Sequence, residues 1–145
     1  MQVKSTVKLN MARINELSQA AERALEQTAE ALHDEVQQAG VVPRRDGALQ
    51  GESFFVDCSQ SQSGKVALIH DEPYARRLYY HPEYNFHKGP WEEKWTDKDG
   101  KNHHVKHDGN PNAKGKWLDD WLPGGGEADF APNAFKRFYK KESGV

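Results

Sequence analysis

The chain has 145 residues, with 20 basic and 22 acidic side chains for a net charge of −2, and fits one ordinary domain. That balance argues against a strong electrostatic footprint for nucleic acid, and no apolar run approaches the roughly 20 residues of a membrane helix. Leu, Ile, Val and Phe make up 26 of 145 residues, about 18%, and Val105 is the only one of them from His87 to Lys116, so the composition describes a compact globule with a long polar excursion.

Lys4 and Lys8 stand where a signal peptide would need an apolar stretch, and the single cysteine, Cys58, cannot form an intramolecular disulfide, so assembly inside a cell is expected. Residues 3–9 alternate, with Val3, Ser5, Val7 and Leu9 on one face and Lys4, Thr6 and Lys8 on the other, which predicts a short strand with one wet face. Asn10 is the expected N-cap of a long helix over residues 11–39. Its apolar stripe is Ile14, Leu17, Ala21, Leu25, Thr28, Leu32, Val36 and Ala39, spaced at about 3.6 residues on average, and Gly40 and Pro43 stop it. Glu22, Glu26, Glu30 and Asp34 form an acidic ladder, read first as a solvated face and otherwise as a surface for a basic neighbour.

Two apolar runs, 52–59 and 65–70, flank a turn-rich SQSQSG and predict a hairpin covering the helix. The aromatic segment 71–86 lies around Pro73 and Pro82 and reads as a short helical or irregular turn. After the polar excursion come WLDDWL, a glycine hinge at 124–126, and a closing helix over about 132–141 with Pro132 in its first turn. The expected organisation is an α+β core over 1–86, a polar extended loop of the same domain over 87–116, and a C-terminal segment over 117–145.

His81, His87, His103, His104 and His107 gather in or near the excursion, and His103 and His107 have the i, i+4 spacing of a two-imidazole helical face. Gly, Asn and Asp surround them and no cysteine completes a zinc set, so solvated loop histidines are the plainer reading and no metal or cofactor is expected. A His-Asn-His nuclease needs a helix where Pro111 and Gly115 break one. The K-x-D-G match at Lys106-His107-Asp108-Gly109 is short enough to arise by chance and reads as a polar turn. Cys58 reads as a buried, inert thiol, and His33 as a favourable contact with the end of the helix dipole. No catalytic constellation emerges, and the chain is expected not to be an enzyme. Trp91/Trp95 and Trp117/Trp121 are i, i+4 pairs in or beside an aliphatic-poor stretch. For the first pair, interface burial and local packing stand level; docking back on the domain is the natural reading of the second.

Three segments carry a resemblance: V-P-x-x-x-G-A-L at 42–49, P-Y-A-R-R-L-Y-Y-H-P-E-Y-N-F at 73–86, and N-P-N-A-x-G-x-W-x-x-x-W at 110–121. Together with the long helix and the hairpin, they make the chain resemble the minor capsid and head–tail joining (tail-completion, neck) proteins of long-tailed bacteriophages. Arg45 and Asp46 stand where that family's loop has Asp-Thr, and the stretch from 87 to 109 is longer and more charged than its usual link. The resemblance implies a structural, non-enzymatic virion protein of the neck, assembled in the host cytoplasm. It also implies a ring of six or twelve copies, connector or stopper and tail terminator or tail tube proteins as neighbours, and DNA passing through without sequence-specific binding. The residues expected at contacts between subunits are Arg76, Arg77, Tyr79, Tyr80, Trp91, Trp95, Trp117 and Trp121, with Phe135, Phe138 and Tyr139 docking on a neighbour through the glycine hinge. The alternative is a nucleic-acid-binding or nuclease accessory protein that uses the His/Lys-rich loop, with Lys101 and Lys106 on phosphates. The excursion is expected to be poorly ordered in the free subunit and ordered against its neighbours.

Overall fold

The computed structural model describes residues 2–43, 51 and 53–145 and has an α+β architecture. Helix α1, Met11–Ala39, starts where Asn10 Oδ1 accepts the Arg13 amide at 3.1 Å and ends at Gly40, whose φ of +64° is the left-handed conformation that glycine adopts without Cβ strain. Its buried residues are Ala20, Ala24, Thr28, Ala29 and Val36, so the covered face is rotated from the expected stripe: Ile14 is exposed and Ala21 and Leu25 are half-buried. Small residues win because a second helix, α3 (Phe130–Ser143), lies against α1, and close approach selects side chains that leave room for a neighbouring backbone. Arg23 Nε and Gln27 Nε2 donate to Glu142, at 2.8 and 3.0 Å, and Arg13 Nη2 donates to the Ser143 carbonyl. The closing helix is thus longer at both ends than the expected 132–141, and Pro132 does sit in its first turn.

The expected hairpin forms from β1, Phe54–Asp57, and β2, Ala67–His70, antiparallel with Phe54 opposite His70. It is fastened to α1 by His33, whose Nε2 meets the Phe54 carbonyl at 2.8 Å, and by Ser61, whose hydroxyl donates to Glu26 at 2.6 Å and reaches Glu22 at 3.4 Å. Two rungs of the acidic ladder are therefore tied down within the chain, while Glu30 and Asp34 are exposed. A short helix, α2 (Ala75–Tyr79), follows. The core gathers around the C-terminal end of α1: Val36, Val41, Val42, Phe54, Ala75, Trp117 and Trp121.

Two expectations are corrected. Residues 2–10 form no strand and are exposed along their length, because a strand needs a partner edge and, among the described residues, none reaches them. The excursion is not a loop throughout: β3, Trp91–Thr96, and β4, Asn102–His107, pair antiparallel as a second two-stranded sheet. Its turn is closed by Asp97, whose Oδ1 accepts the Asp99 and Lys101 amides, each at 2.9 Å, and by Gly100 at φ +79°. Beyond it, 110–116 packs on the core, with Ala113 and Gly115 buried and Asn110 Nδ2 donating to the Gly40 and Val42 carbonyls. Of the 124–126 glycines, expected as a hinge, the middle one is packed: a Cβ on Gly125 would collide with the Asp119 and Asp120 carbonyls, whereas Gly124 and Gly126 are exposed with open space around them. The 44–50 part of the loop motif, including Asp46, lies outside the described residues.

Candidate functional site

The β3–β4 register places Trp91 opposite His107 and Trp95 opposite His103. Period-2 alternation puts Trp91, Glu93 and Trp95 with His103, Val105 and His107 on one face of this sheet, and Glu92, Lys94 and Thr96 with Asn102, His104 and Lys106 on the other. His103 and His107 do share a face, by the period of a strand and not that of a helix. Trp91 is sandwiched between His87, at 3.9 Å between ring centres, and His107, at 4.2 Å. Trp95 stacks on His103 at 5.4 Å and is 47% exposed, and a hollow of about 330 Å³ opens beside it, lined by Glu93, Trp95, Val105 and His107.

The histidines of this segment pair with carboxylates. His103 Nε2 lies 2.7 Å from Asp97, His107 Nε2 3.4 Å from Glu93, His104 Nε2 3.8 Å from Glu92, and, outside the hairpin, His81 Nδ1 2.7 Å from Glu83. The His103 bond, supported by the Lys101 amide, holds the Asp97 carboxyl below the usual range; the His81 bond does the same for Glu83. Among the described residues, no group of three or more His, Cys, Asp or Glu side chains is placed to hold a metal ion. Cys58 is half-buried, not fully buried as expected, and loss of solvation with the nearby Glu26 and Glu30 charges pushes its thiol up, away from the reactive thiolate.

The hairpin is rooted by a close crossing. Gly109, at φ +81°, lies where a Cβ would collide with the Gly89 carbonyl, and the Asn110 amide donates to the His87 carbonyl at 3.0 Å. From that root the two strands project away from the core cluster, to which neither contributes a residue.

A second constellation is aromatic. Ring centres step from His33 to Phe54 (4.3 Å), His70 (4.2 Å), Trp117 (5.3 Å), Tyr79 (4.9 Å) and Tyr80 (5.2 Å), running from α1 through the first sheet to the surface, where Tyr80 is 61% exposed. The Trp117 indole N–H donates to His70 Nε2 at 3.0 Å, so that nitrogen is the acceptor of a neutral imidazole. Tyr79 donates its hydroxyl to Asp119 at 2.5 Å, and burial, with that carboxylate, pushes its phenol far up. His33 and His70 are half-buried beside the core. His33 lies a helical turn before Val36, which is a usable signal; His70 ends an apolar run.

The residues expected at subunit contacts divide by location. Arg76, Arg77 and Tyr80 are exposed on or beside α2, with Arg77 Nε donating to the Tyr84 hydroxyl at 3.2 Å. Trp91 is half-buried and Trp95 exposed on the projecting hairpin. Trp117 and Trp121 lie in the core of the same chain, so they dock back on the domain and present no surface to a neighbour. Phe135, Phe138 and Tyr139 are half-buried on α3, Phe135 stacking on Tyr139 and Phe138 lying under Arg137. Lys101 and Lys106 are exposed on the hairpin among Glu92, Glu93 and Asp97. No family model, curated protein or solved structure matches the chain.

Proposed function

We propose that the chain is a structural virion protein of the phage neck, a subunit of a multi-copy ring that joins the head connector to the tail. One observation carries the reading: the two segments most specific to the resemblance, 74–86 and 110–121, pack into one unit although the hairpin separates them. The Lys116 amide donates to the Tyr79 carbonyl at 2.8 Å, Gly115 abuts Pro82, and Trp117 and Asp119 both meet Tyr79. Segments that travel together in a family are expected to form one structural element, and here they build the core beneath the exposed Arg76, Arg77 and Tyr80.

The reading assigns no reaction and no cofactor. A closed ring needs two different patches on each subunit, one receiving what the other presents, and the projecting hairpin and the exposed α2 side chains supply candidates for them. The accessory-protein alternative is disfavoured by charge, because Glu92, Glu93 and Asp97 lie among Lys101 and Lys106 and would repel phosphates. Removal of the gene from a phage that carries it is expected to leave filled heads and free tails that do not join. Normally joined particles would overturn the proposal. Retention of the purified chain on DNA at physiological salt, lost in Lys101→Ala/Lys106→Ala, would favour the alternative instead.

A further inference from the structure

The net charge of −2 conceals a segregation. Residues 2–23 and 133–145 carry eight basic side chains and three acidic ones, a net of +5, which leaves −7 for residues 24–132. The fold brings the two basic stretches together. Arg13 Nη2 donates to the Ser143 carbonyl at 3.1 Å and Arg23 Nε to Glu142 at 2.8 Å, so the start of α1 lies beside the end of α3. On α3, Lys136, Arg137, Lys140 and Lys141 are all exposed, and their i, i+1, i+4, i+5 spacing puts them on one face. The only carboxylate of that helix, Glu142, is engaged by Arg23 and Gln27. Glu127 and Asp129 share a hollow with Arg137 near the helix start, so Lys136, Lys140 and Lys141 form the centre of the patch. The arm that leads into α1 adds Lys4 and Lys8, both exposed, at the same end of the molecule.

We propose that this end is a docking surface for the phosphate backbone of a nucleic-acid duplex, held without reading base sequence. The chemistry of the patch selects the occupant. A protein partner is anchored by buried aromatic or aliphatic side chains, and exposed ion pairs alone contribute little; the α3 row offers only charges. An anionic lipid surface takes a helix that lays an apolar face down beside its basic one, and α3 has spent its apolar face on α1, with Ala134 buried there. The exposed Val3, Val7 and Leu9 at this end belong to a segment that forms no helix.

A duplex requires no apolar contact, because each phosphate neutralised by a lysine or arginine releases condensed counterions. Lys136 and Lys140, and likewise Arg137 and Lys141, stand about 6 Å apart along the helix axis at 1.5 Å rise per residue, so the row is a rigid track of charge. The nine-residue arm spans about 31 Å fully extended, which lets Lys4 and Lys8 follow the backbone beyond the helix. The negative remainder of the chain repels phosphate and so fixes which end docks. The inference goes beyond the ring reading, in which DNA only passes through, and does not depend on it.

Fluorescence anisotropy of a labelled DNA duplex of about 30 base pairs and arbitrary sequence, titrated with the full chain from about 50 to about 200 mM KCl, tests it. With about five phosphates neutralised, the logarithm of the binding constant is expected to fall against that of salt with a slope of about −4.5. Lys136→Ala/Lys140→Ala is expected to weaken binding roughly tenfold at the low-salt end and to make the slope shallower by about 2. Lys101→Ala/Lys106→Ala is expected to bind like the parent, which separates this surface from the hairpin. The substituted side chains are exposed, so the thermal unfolding of these variants is expected to match the parent. No binding at the low-salt end, affinity unchanged in Lys136→Ala/Lys140→Ala, or capture by phosphatidylserine vesicles without binding to the duplex would each overturn the inference. The deletion phenotype judges the neck reading separately, and either result stands without the other.

Discussion

Trp117 is where the distant parts of the chain meet. It is 1% exposed, its indole donates to His70 on β2, and its ring edge meets Tyr79 on α2. Trp95 has the same side chain and a similar aromatic neighbour, but no core beneath it. Trp117→Ala is therefore expected to cost about 3–5 kcal/mol through the cavity and the orphaned His70 acceptor, and Trp95→Ala less than about 1 kcal/mol, as read by urea denaturation. Equal losses would contradict the assignment of one to the core and the other to the surface. At this scale the sequence was only partly legible. The i, i+4 tryptophan pairs look alike on paper. What separates them is Ala113 and Gly115, small residues that let the chain before Trp117 close on the core, and Gly89 and Gly109, which let the chain leave it. His33 reads locally as a contact with the helix dipole, whereas its main partner, the Phe54 carbonyl, lies 21 residues away, where no local pattern points.

Among the elements, α1 was the most legible, because cap, period and stop are all local: Asn10, the 3.6-residue repeat and Gly40 define Met11–Ala39. The β3–β4 hairpin was the least, because it contains almost no aliphatic residue. Its signals were two six-residue runs that hold Trp, Thr, Val and His among charged and polar residues, and an Asp-Gly turn, which a search for apolar alternation passes over. The α1–α3 clasp gives a pH prediction. Arg23 and Gln27 hold the Glu142 carboxyl below its usual range, so the contribution of the clasp is complete above the ordinary glutamate range and lost as pH falls through the lowered value. The melting temperature is expected to drop as pH is lowered from about 6 to about 3, with a shallower drop in Glu142→Gln. Asp97 and Glu83, also held low, contribute in the same direction, so a residual slope is expected in that variant.

At the scale of the molecule, the core lies at one end of α1 and two features lie outside it, the arm and the hairpin. Gly89 and Gly109 touch where the hairpin leaves and returns. Excising 90–108 and joining Gly89 to Gly109 should therefore leave the core intact, with a melting temperature within about 5 °C of the parent. Differential scanning calorimetry measures this; a collapsed melting transition would mean that the hairpin belongs to the core.

The sequence by itself determined the α+β class, the length and caps of α1, the first hairpin and the existence of a closing helix, because each follows from interactions within a few residues or from turn chemistry. Only the tertiary structure decided which face of α1 is covered, that Trp117 and Trp121 turn inward while Trp95 turns outward, and that residues 3–9 find no strand partner among the described residues. These outcomes depend on partners far away in sequence, on the close approach of α3 and on where glycines let two segments cross. The polar excursion, which composition marks as lacking a core, is the projecting sheet: with so few aliphatic residues, its stacked rings and charge pairs hold two strands together.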